Sequence, residues 1–320
     1  MRAKTRVRAL VLPAIAATVT LRAAAASAAT AAAATGAGTD LGPINTGLGP
    51  IDAATSLLVV SPHPDDETLC CAGAIQRVLR AGGQAAVVWV TSGDAERDGL
   101  LALARLFHGG STAARDLGAR RMSEARAATA LLGVPPRGQL FLGYPDGGLG
   151  ELLGAHRSTA YTSAATAAAV VPYGDALYPG HAYTGEELTR DFAAVLARIR
   201  PTLILAPCAS DSHPDHRAAG ELAMAMNAGR APAAQLRCWI VHGGEGWPSP
   251  RELSAGIPLT PAPLARGAVP STFALRPAEE DRKLLALRTY RSQMRTMAPF
   301  LLAFVRTTEL FWIPAAAAPP

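Results

Sequence analysis

The sequence predicts an α/β fold: a Rossmann-like, mostly parallel sheet with helices on both faces and a helical segment appended at the C-terminal end. Three observations predict it. Short apolar, β-branched runs alternate with longer stretches of helical character, the pattern of βαβ units. Polar turns follow those runs, where an open parallel sheet places its functional groups. A hydrophobic share of 49% over 320 residues is ample for one large core.

The elements follow in order. Met1 to Arg8 carries four positive charges, and Ala9 to Leu21 is a 13-residue, mostly apolar run closed by Arg22. That run is shorter than the ~20 residues a membrane-spanning helix needs. With the small residues Ala26-Ser27-Ala28 it reads as a signal peptide over 1–28, and hence an exported chain with no stable membrane insertion once the leader is removed; a disordered Ala-rich leader is the alternative. Residues 29–50 read as a disordered linker, residues 51–313 as one enzyme-sized domain, and 314–320 as a tail.

Within the domain, Ser56 to Val60 is a strand and Thr68 to Leu79 a helix, broken at Gly82-Gly83. Gln84 to Thr91 is a second strand ending at Ser92-Gly93-Asp94. Ala113 to Leu132 has helical periodicity and stops at Gly133-Val134-Pro135-Pro136. Gln139 to Leu142 is a third strand, followed by a turn containing Asp146. Residues 150–185 read as a long loop, a candidate wall or lid. Glu186 to Arg200 is a helix stopped by Pro201, Thr202 to Pro207 a strand, and Gln235 to Val241 another, ending at His242. Pro248 to Pro277 reads as irregular, and Ala278 to Thr296 and Phe300 to Phe311 as closing helices.

Charge excludes one function class. The formal net charge of +5 rests on Arg2, Lys4, Arg6, Arg8 and Arg22; without these five, 25 basic residues face 25 acidic ones. No basic stripe or nucleic-acid motif remains. The four cysteines make no disulfide scaffold. Cys70 and Cys71 are adjacent, with Cα atoms ~3.8 Å apart, closer than the usual disulfide range. Cys208 and Cys238 pair only if their strands adjoin, and a small buried thiol is the expectation for each.

Two turns concentrate the chemistry: Ser61-Pro62-His63-Pro64-Asp65-Asp66-Glu67 and Asp211-Ser212-His213-Pro214-Asp215-His216, both after strand-like runs. Imidazole with carboxylate suits zinc. His63 and Asp66 stand three apart on one turn, and His216 supplies a third ligand from the other. Two nitrogens and one oxygen leave a fourth tetrahedral position open, as in catalytic sites. Asp65 and Asp66 as mere helix caps are the competing reading. Glu67 is read as structural, in the helix's first turn.

His-Pro-Asp-Asp-Glu at 63–67 and His-Pro-Asp-His at 213–216 together resemble the PIG-L/LmbE family of zinc-dependent de-N-acetylases, over roughly Ser56 to Trp312. The resemblance implies one zinc ion on His63, Asp66 and His216, with Asp65 as general base. It implies that His213 steadies the oxyanion or protonates the leaving amine, with Asp215 orienting that ring; exchanged roles for His213 and His216 stay open. Arg121 matches a family arginine that reaches substrate, the alternative being a solvated charge or an Arg-Glu pair with Glu124. Asp94 and Asp146 are candidates for sugar hydroxyls or plain turn residues, and His242 for the pocket wall. Cys70 stands where the family more usually has glycine. The implied activity is hydrolysis of an N-acetyl group on a small-molecule amino sugar or its conjugate. An amidase for a larger acyl group, or a non-catalytic sugar-binding protein, are the alternatives; oligomeric state is not legible.

Overall fold

The computed structural model describes residues 47–96, 110–265 and 267–314. The expected signal peptide, the linker up to residue 46 and the tail beyond residue 314 lie outside the described residues.

Strands β1 (Ser56–Ser61), β2 (Gln84–Thr91), β3 (Gln139–Tyr144), β4 (Leu203–Pro207) and β5 (Gln235–Trp239) form one sheet in the order β3-β2-β1-β4-β5, and every pairing is parallel. Leu57 to Val60 are wholly buried, as a strand covered on both faces must be. The register runs from Val59↔Val87 on one side of β1 to Val59↔Leu205 on the other.

Helices α1 (Asp66–Arg80) and α2 (Ser111–Leu131) carry the chain outward from β1 to β3. Helices α3 (Leu149–Leu153) and α4 (Gly185–Ile199) bring it back to β4, and α5 (Pro214–Ala228) leads on to β5. Right-handed crossovers in opposite directions put α1 and α2 on one face and α4 and α5 on the other. The contacts agree: α1 and α2 both pack on α6 (Pro277–Leu287), whereas α3 packs on α4 and α5. The direction reverses between β1 and β4, so a crevice opens at their carboxyl ends, where both chemistry-bearing turns lie.

Three expectations are corrected. Residues 300–311 are not a helix: α7 (Arg291–Leu302) ends and β7 (Thr308–Phe311) follows, antiparallel to β6 (Ser271–Ala274) in a stretch read as irregular. A short apolar run does not reveal its period, and its β partner lies far upstream. The linker reading overreaches at its end, where Leu48 is 1% exposed and Gly47 accepts a hydrogen bond from Arg237 Nε at 2.9 Å. None of the four cysteines is a thiol: Cys70 bonds Cys71, and Cys208 bonds Cys238. For the second pair, the neighbouring positions of β4 and β5 bring the Cα atoms to 4.8 Å; the first closes between adjacent residues at 3.8 Å.

The C-terminal segment is bolted to α1. Lys283 and Glu309, each about 1% exposed, pair at 3.1 Å. Glu309 also accepts the backbone N–H groups of Gly73 (2.8 Å) and Ala74 (3.1 Å), while Lys283 Nζ donates to Leu69 O at 2.7 Å. The ion pair thus inserts beside the point where the α1 ladder joins Leu69 to Gly73. Gly73 leaves room for it, since a Cβ there would lie 2.7 Å from Leu275 and 3.1 Å from a Glu309 oxygen. Removing one partner of a buried pair strands the other. Glu309→Ala is therefore expected to lower unfolding stability in urea by about 3–5 kcal/mol, and Glu309→Ala with Lys283→Met to recover most of it.

Candidate active site

At the crevice, β1 delivers His63, Asp65 and Asp66 on a tight turn into α1, and β4 delivers Asp211, His213, Asp215 and His216 on the turn into α5. Asp66 Oδ2 lies 3.3 Å from His63 Nδ1 and 3.1 Å from His216 Nε2, and those two nitrogens are 3.3 Å apart. Three ligand-type atoms thus form a near-equilateral triangle. Tetrahedral zinc ligands at ~2.0–2.1 Å stand about 3.3 Å from one another, so the spacing fits.

The far side of each imidazole fixes its tautomer. His63 Nε2 is 3.2 Å from both Asp146 Oδ1 and Asp215 Oδ2, and His216 Nδ1 is 3.2 Å from Asp211 Oδ2. With protons on those nitrogens, His63 Nδ1 and His216 Nε2 turn lone pairs toward Asp66 Oδ2. Three lone pairs aimed at one buried point call for a cation, and a carboxylate behind a ligating imidazole is the usual support. The surroundings favour positive charge at this point, which protons on the rings also supply. Burial would lower the pKa of His63, yet Asp146, Asp215 and Asp66 raise it well above its ordinary value. Burial opposes but Asp66 and Asp211 push His216 up to about 9. Burial would raise Asp66, but His216 and His63 hold it well below the usual carboxylate range.

Asp65 stands beside this triangle at φ 129°, a conformation that non-glycine residues adopt only when their surroundings impose it. Here its carbonyl accepts the N–H groups of Thr68 and Leu69, both at 3.0 Å, and its N–H donates to Glu67 Oε2 at 3.2 Å. Burial pushes its carboxyl up to about 8 despite the charge of Arg121. Arg121 is 3% exposed: it donates to Asp65 Oδ2 (3.1 Å), Pro64 O (2.8 Å) and Gly93 O (3.0 Å). Gly93, at φ 66°, admits it; a Cβ there would sit 2.3 Å from Nη1. Arg121 is therefore neither a solvated charge nor a partner of Glu124. Its guanidinium holds the Asp65 turn, and only Nε lacks a partner.

Two other expectations change. The Asp215 carboxylate does not orient His213. It accepts from Gly147 N (2.7 Å) and Leu149 N (3.1 Å) and faces His63, while the Asp215 backbone N–H donates to His213 Nδ1 at 3.2 Å. An acceptor at Nδ1 puts the His213 proton on Nε2. Burial, helped by the charges of His63 and His216, lowers the His213 pKa to about 4, so the ring is neutral. Asp94 is wholly buried, accepting from Tyr173 OH (2.6 Å) and Asp146 N (3.3 Å), so it steadies Asp146 rather than reaching a ligand.

Sequence reasoning missed the roles of Asp146 behind His63 and Asp211 behind His216. Asp211 also accepts the N–H groups of Val241 (2.9 Å) and His242 (3.0 Å), tying β5 to the site. Glu67 is structural, as read: its buried carboxylate collects Ser61 Oγ, Trp89 Nε1, Thr68 Oγ1 and Tyr290 OH. A cleft of about 250 Å³ lies over the triangle, with Asp65, Arg121, Asp146, His213 and His242 on one side and Gln293, Met297, Phe300 and Leu301 of α7 on the other. The larger groove, about 720 Å³, lies where α4 and α5 end, far from this chemistry. His181, Glu187 and Asp191 also cluster, but Asp191 is occupied by Tyr144 OH (2.8 Å) and His181 Nδ1 (3.0 Å).

Residues 58–227 match the family model PIG-L, described as GlcNAc-PI de-N-acetylase. Among curated proteins, the chain is 29% identical over 254 residues to the 1D-myo-inositol 2-acetamido-2-deoxy-alpha-D-glucopyranoside deacetylase of Actinosynnema mirum, covering 76% of this chain and 82% of that one. It is 28% identical over 243 residues to the enzyme of the same name from Nakamurella multipartita, covering 72% and 69%. Among solved structures, the A40926 pseudoaglycone deacetylase shares the fold at a TM-score of 0.51 and 20% identity, over 83% of this chain and all of that one.

The Arg121 contacts carry a stability prediction. Arg121→Ala leaves Asp65 buried without its partner and two carbonyls unpaired, so urea unfolding is expected to show a loss of about 3–5 kcal/mol. A change within about 0.5 kcal/mol, the range of a solvated surface charge, would refute the contact set. Arg121→Lys, lacking the planar fork, should restore only part.

Proposed function

This chain belongs to the PIG-L family of GlcNAc-PI de-N-acetylases, and from that premise we propose that it is a metal-dependent hydrolase removing the acetyl group from an N-acetylated amino sugar or its conjugate. The observation that carries the proposal is the triangle of His63 Nδ1, Asp66 Oδ2 and His216 Nε2, with Asp65 beside it and an open cleft above. The named relatives act on a 2-acetamido sugar linked to inositol, which supports an N-acetylated sugar as the substrate class.

Those three atoms would hold the ion, and two imidazoles with one carboxylate favour zinc. When bound, zinc supplies Lewis acidity, polarising the amide carbonyl and making water acidic enough to lose a proton near neutrality. The chain's own residues do the rest. Asp65, its turn clamped by Arg121, takes the proton of the attacking water. His213 presents Nε2–H to the oxygen of the tetrahedral adduct, a neutral donor fixed before charge develops there. Asp65 returns the proton to the nitrogen as the C–N bond breaks, leaving acetate and a free amine. Asp146, Asp211 and Asp215 keep the two ligating rings in their tautomers.

A second reading concerns the acyl group. Leu69, Val241, Met297, Phe300 and Leu301 make part of the cleft lining apolar, which favours an acyl chain longer than acetyl. The paired cysteines support the exported location expected from the leader, since disulfides persist in oxidising compartments.

Purified protein given one equivalent of zinc should release acetate from N-acetylglucosamine derivatives. Asp65→Asn should keep the metal and lose roughly 10²–10⁴-fold in turnover. His216→Ala should lose the metal itself by elemental analysis. In Asp211→Asn, metal affinity should fall about 10–100-fold. Faster cleavage of an N-hexanoyl than an N-acetyl sugar would select the longer acyl group; inertness toward every N-acyl sugar would overturn the substrate class.

A further inference from the structure

Beyond residue 227, where the family match ends, the described residues lining the cleft are Val241 and His242, after β5, and four residues of the C-terminal helix α7. Its position is rigidly set. Tyr290, its N-cap, hydrogen-bonds Glu67 and lies 3.4 Å from Thr68 Oγ1. Ser292 donates its N–H (3.0 Å) and hydroxyl (2.6 Å) to the carboxylate of Glu124, one turn along α2 from Arg121. The same two helices, α1 and α2, that position Asp66 and Arg121 therefore position the first turn of α7.

Gln293 follows directly. It is 0% exposed, it lines the cleft, and its Oε1 has no partner in the protein; its Nε2 has only Ser292 Oγ at 3.4 Å. A buried carbonyl left unpaired costs about 1–3 kcal/mol, and the ties at Tyr290 and Ser292 oppose a shift of the helix that would relieve it. Five buried side-chain atoms among the described residues are in this state, and only two of them, Gln293 Oε1 and Arg121 Nε, belong to residues that line this cleft. One is an acceptor and the other a donor. A hydroxyl both donates and accepts, so a polyhydroxylated ligand matches this pair where a purely apolar one does not.

We propose that Gln293 is a substrate-recognition residue whose side-chain oxygen accepts a hydrogen bond from a hydroxyl of the sugar held over the His63–Asp66–His216 triangle. The inference rests on the proposed deacetylation and adds to it a recognition group on the C-terminal segment. Such a site rejects analogues lacking the hydroxyl because its own polar atom is left unpaired.

The test compares wild type with Gln293→Met, of similar volume but without the oxygen. Both are zinc-loaded and assayed for kcat/KM on an N-acetylglucosamine derivative, its monodeoxy analogues and a small N-acetyl amine without a sugar. Wild type should lose about 5- to 150-fold on one deoxy analogue, the range of one unpaired buried group. Gln293→Met should lose a similar factor on the full sugar and nothing further on that analogue. On the small amide it should stay within about twofold of wild type, with unchanged zinc content. Where Gln293→Met folds poorly, Gln293→Glu, which keeps an acceptor oxygen, should retain the wild-type preference for the full sugar. Wild-type efficiency of Gln293→Met on the sugar would overturn the proposal, because the Gln293 oxygen would then contribute nothing to recognition of the sugar. An equal loss on sugar, every deoxy analogue and small amide would also overturn it, placing Gln293 in packing. A wild type that cleaves the small amide but no sugar overturns the parent reading and this inference with it.

Discussion

The structure depends on bringing lone pairs together where electrostatics would drive them apart. His63 Nδ1, His216 Nε2 and Asp66 Oδ2 face one another within 3.3 Å in a nearly dry interior. Each imidazole can do so only because a carboxylate holds its other nitrogen. The carboxylates come from different strand ends: Asp146 after β3, and Asp211 and Asp215 after β4. Each is itself fixed by backbone N–H groups or, for Asp146, by its link to Asp94. The reversal of strand order between β1 and β4, which lie parallel, is what places these ends around one point.

Much of this was legible in the sequence where the signal is local. The alternation of apolar strands and periodic helices fixed the parallel sheet, and the two His/Asp turns announced themselves by composition. What was not legible is what depends on partners distant in the chain. Arg121 was legible only as a match to a family arginine that reaches substrate; its hold on the Asp65 turn exists because Gly93 and Pro64 present carbonyls from two other loops. Asp215 sits two residues from His213, so in sequence the nearer ring is its partner, but Gly147 and Leu149 offer it two N–H groups and it faces His63. β7 escaped because an apolar run of that length has no readable period, and the strand that pairs with it lies in a Pro-rich stretch. Gln293 carried no signal at all: a glutamine on an amphipathic helix is ordinarily solvated.

Glu67 shows how the N-terminal motif and the C-terminal segment became one unit. Its carboxylate sits beneath the Asp65 turn, accepting from Asp65 N and Ser61 Oγ of the same motif, Trp89 Nε1 of β2 and Tyr290 OH of the C-terminal segment. Burial raises its pKa against those hydrogen bonds, which stabilise the charged form. A residue of the signature motif is thus occupied with holding a helix that begins more than two hundred positions later.

The Glu309–Lys283 pair has a consequence for how the protein is made. Glu309 reaches α1 backbone amides 236 positions upstream, within the same helix that begins at Asp66. While the ribosome is still short of that residue, α1 lacks its clamp, and the turn bearing Asp65 and Asp66 has no settled platform. The Asp65–Asp66 turn therefore gains this support only once the last strand has been made. A prematurely terminated product lacks the clamp altogether, so loss of the final strand is felt at the opposite end of the chain, at its first functional turn.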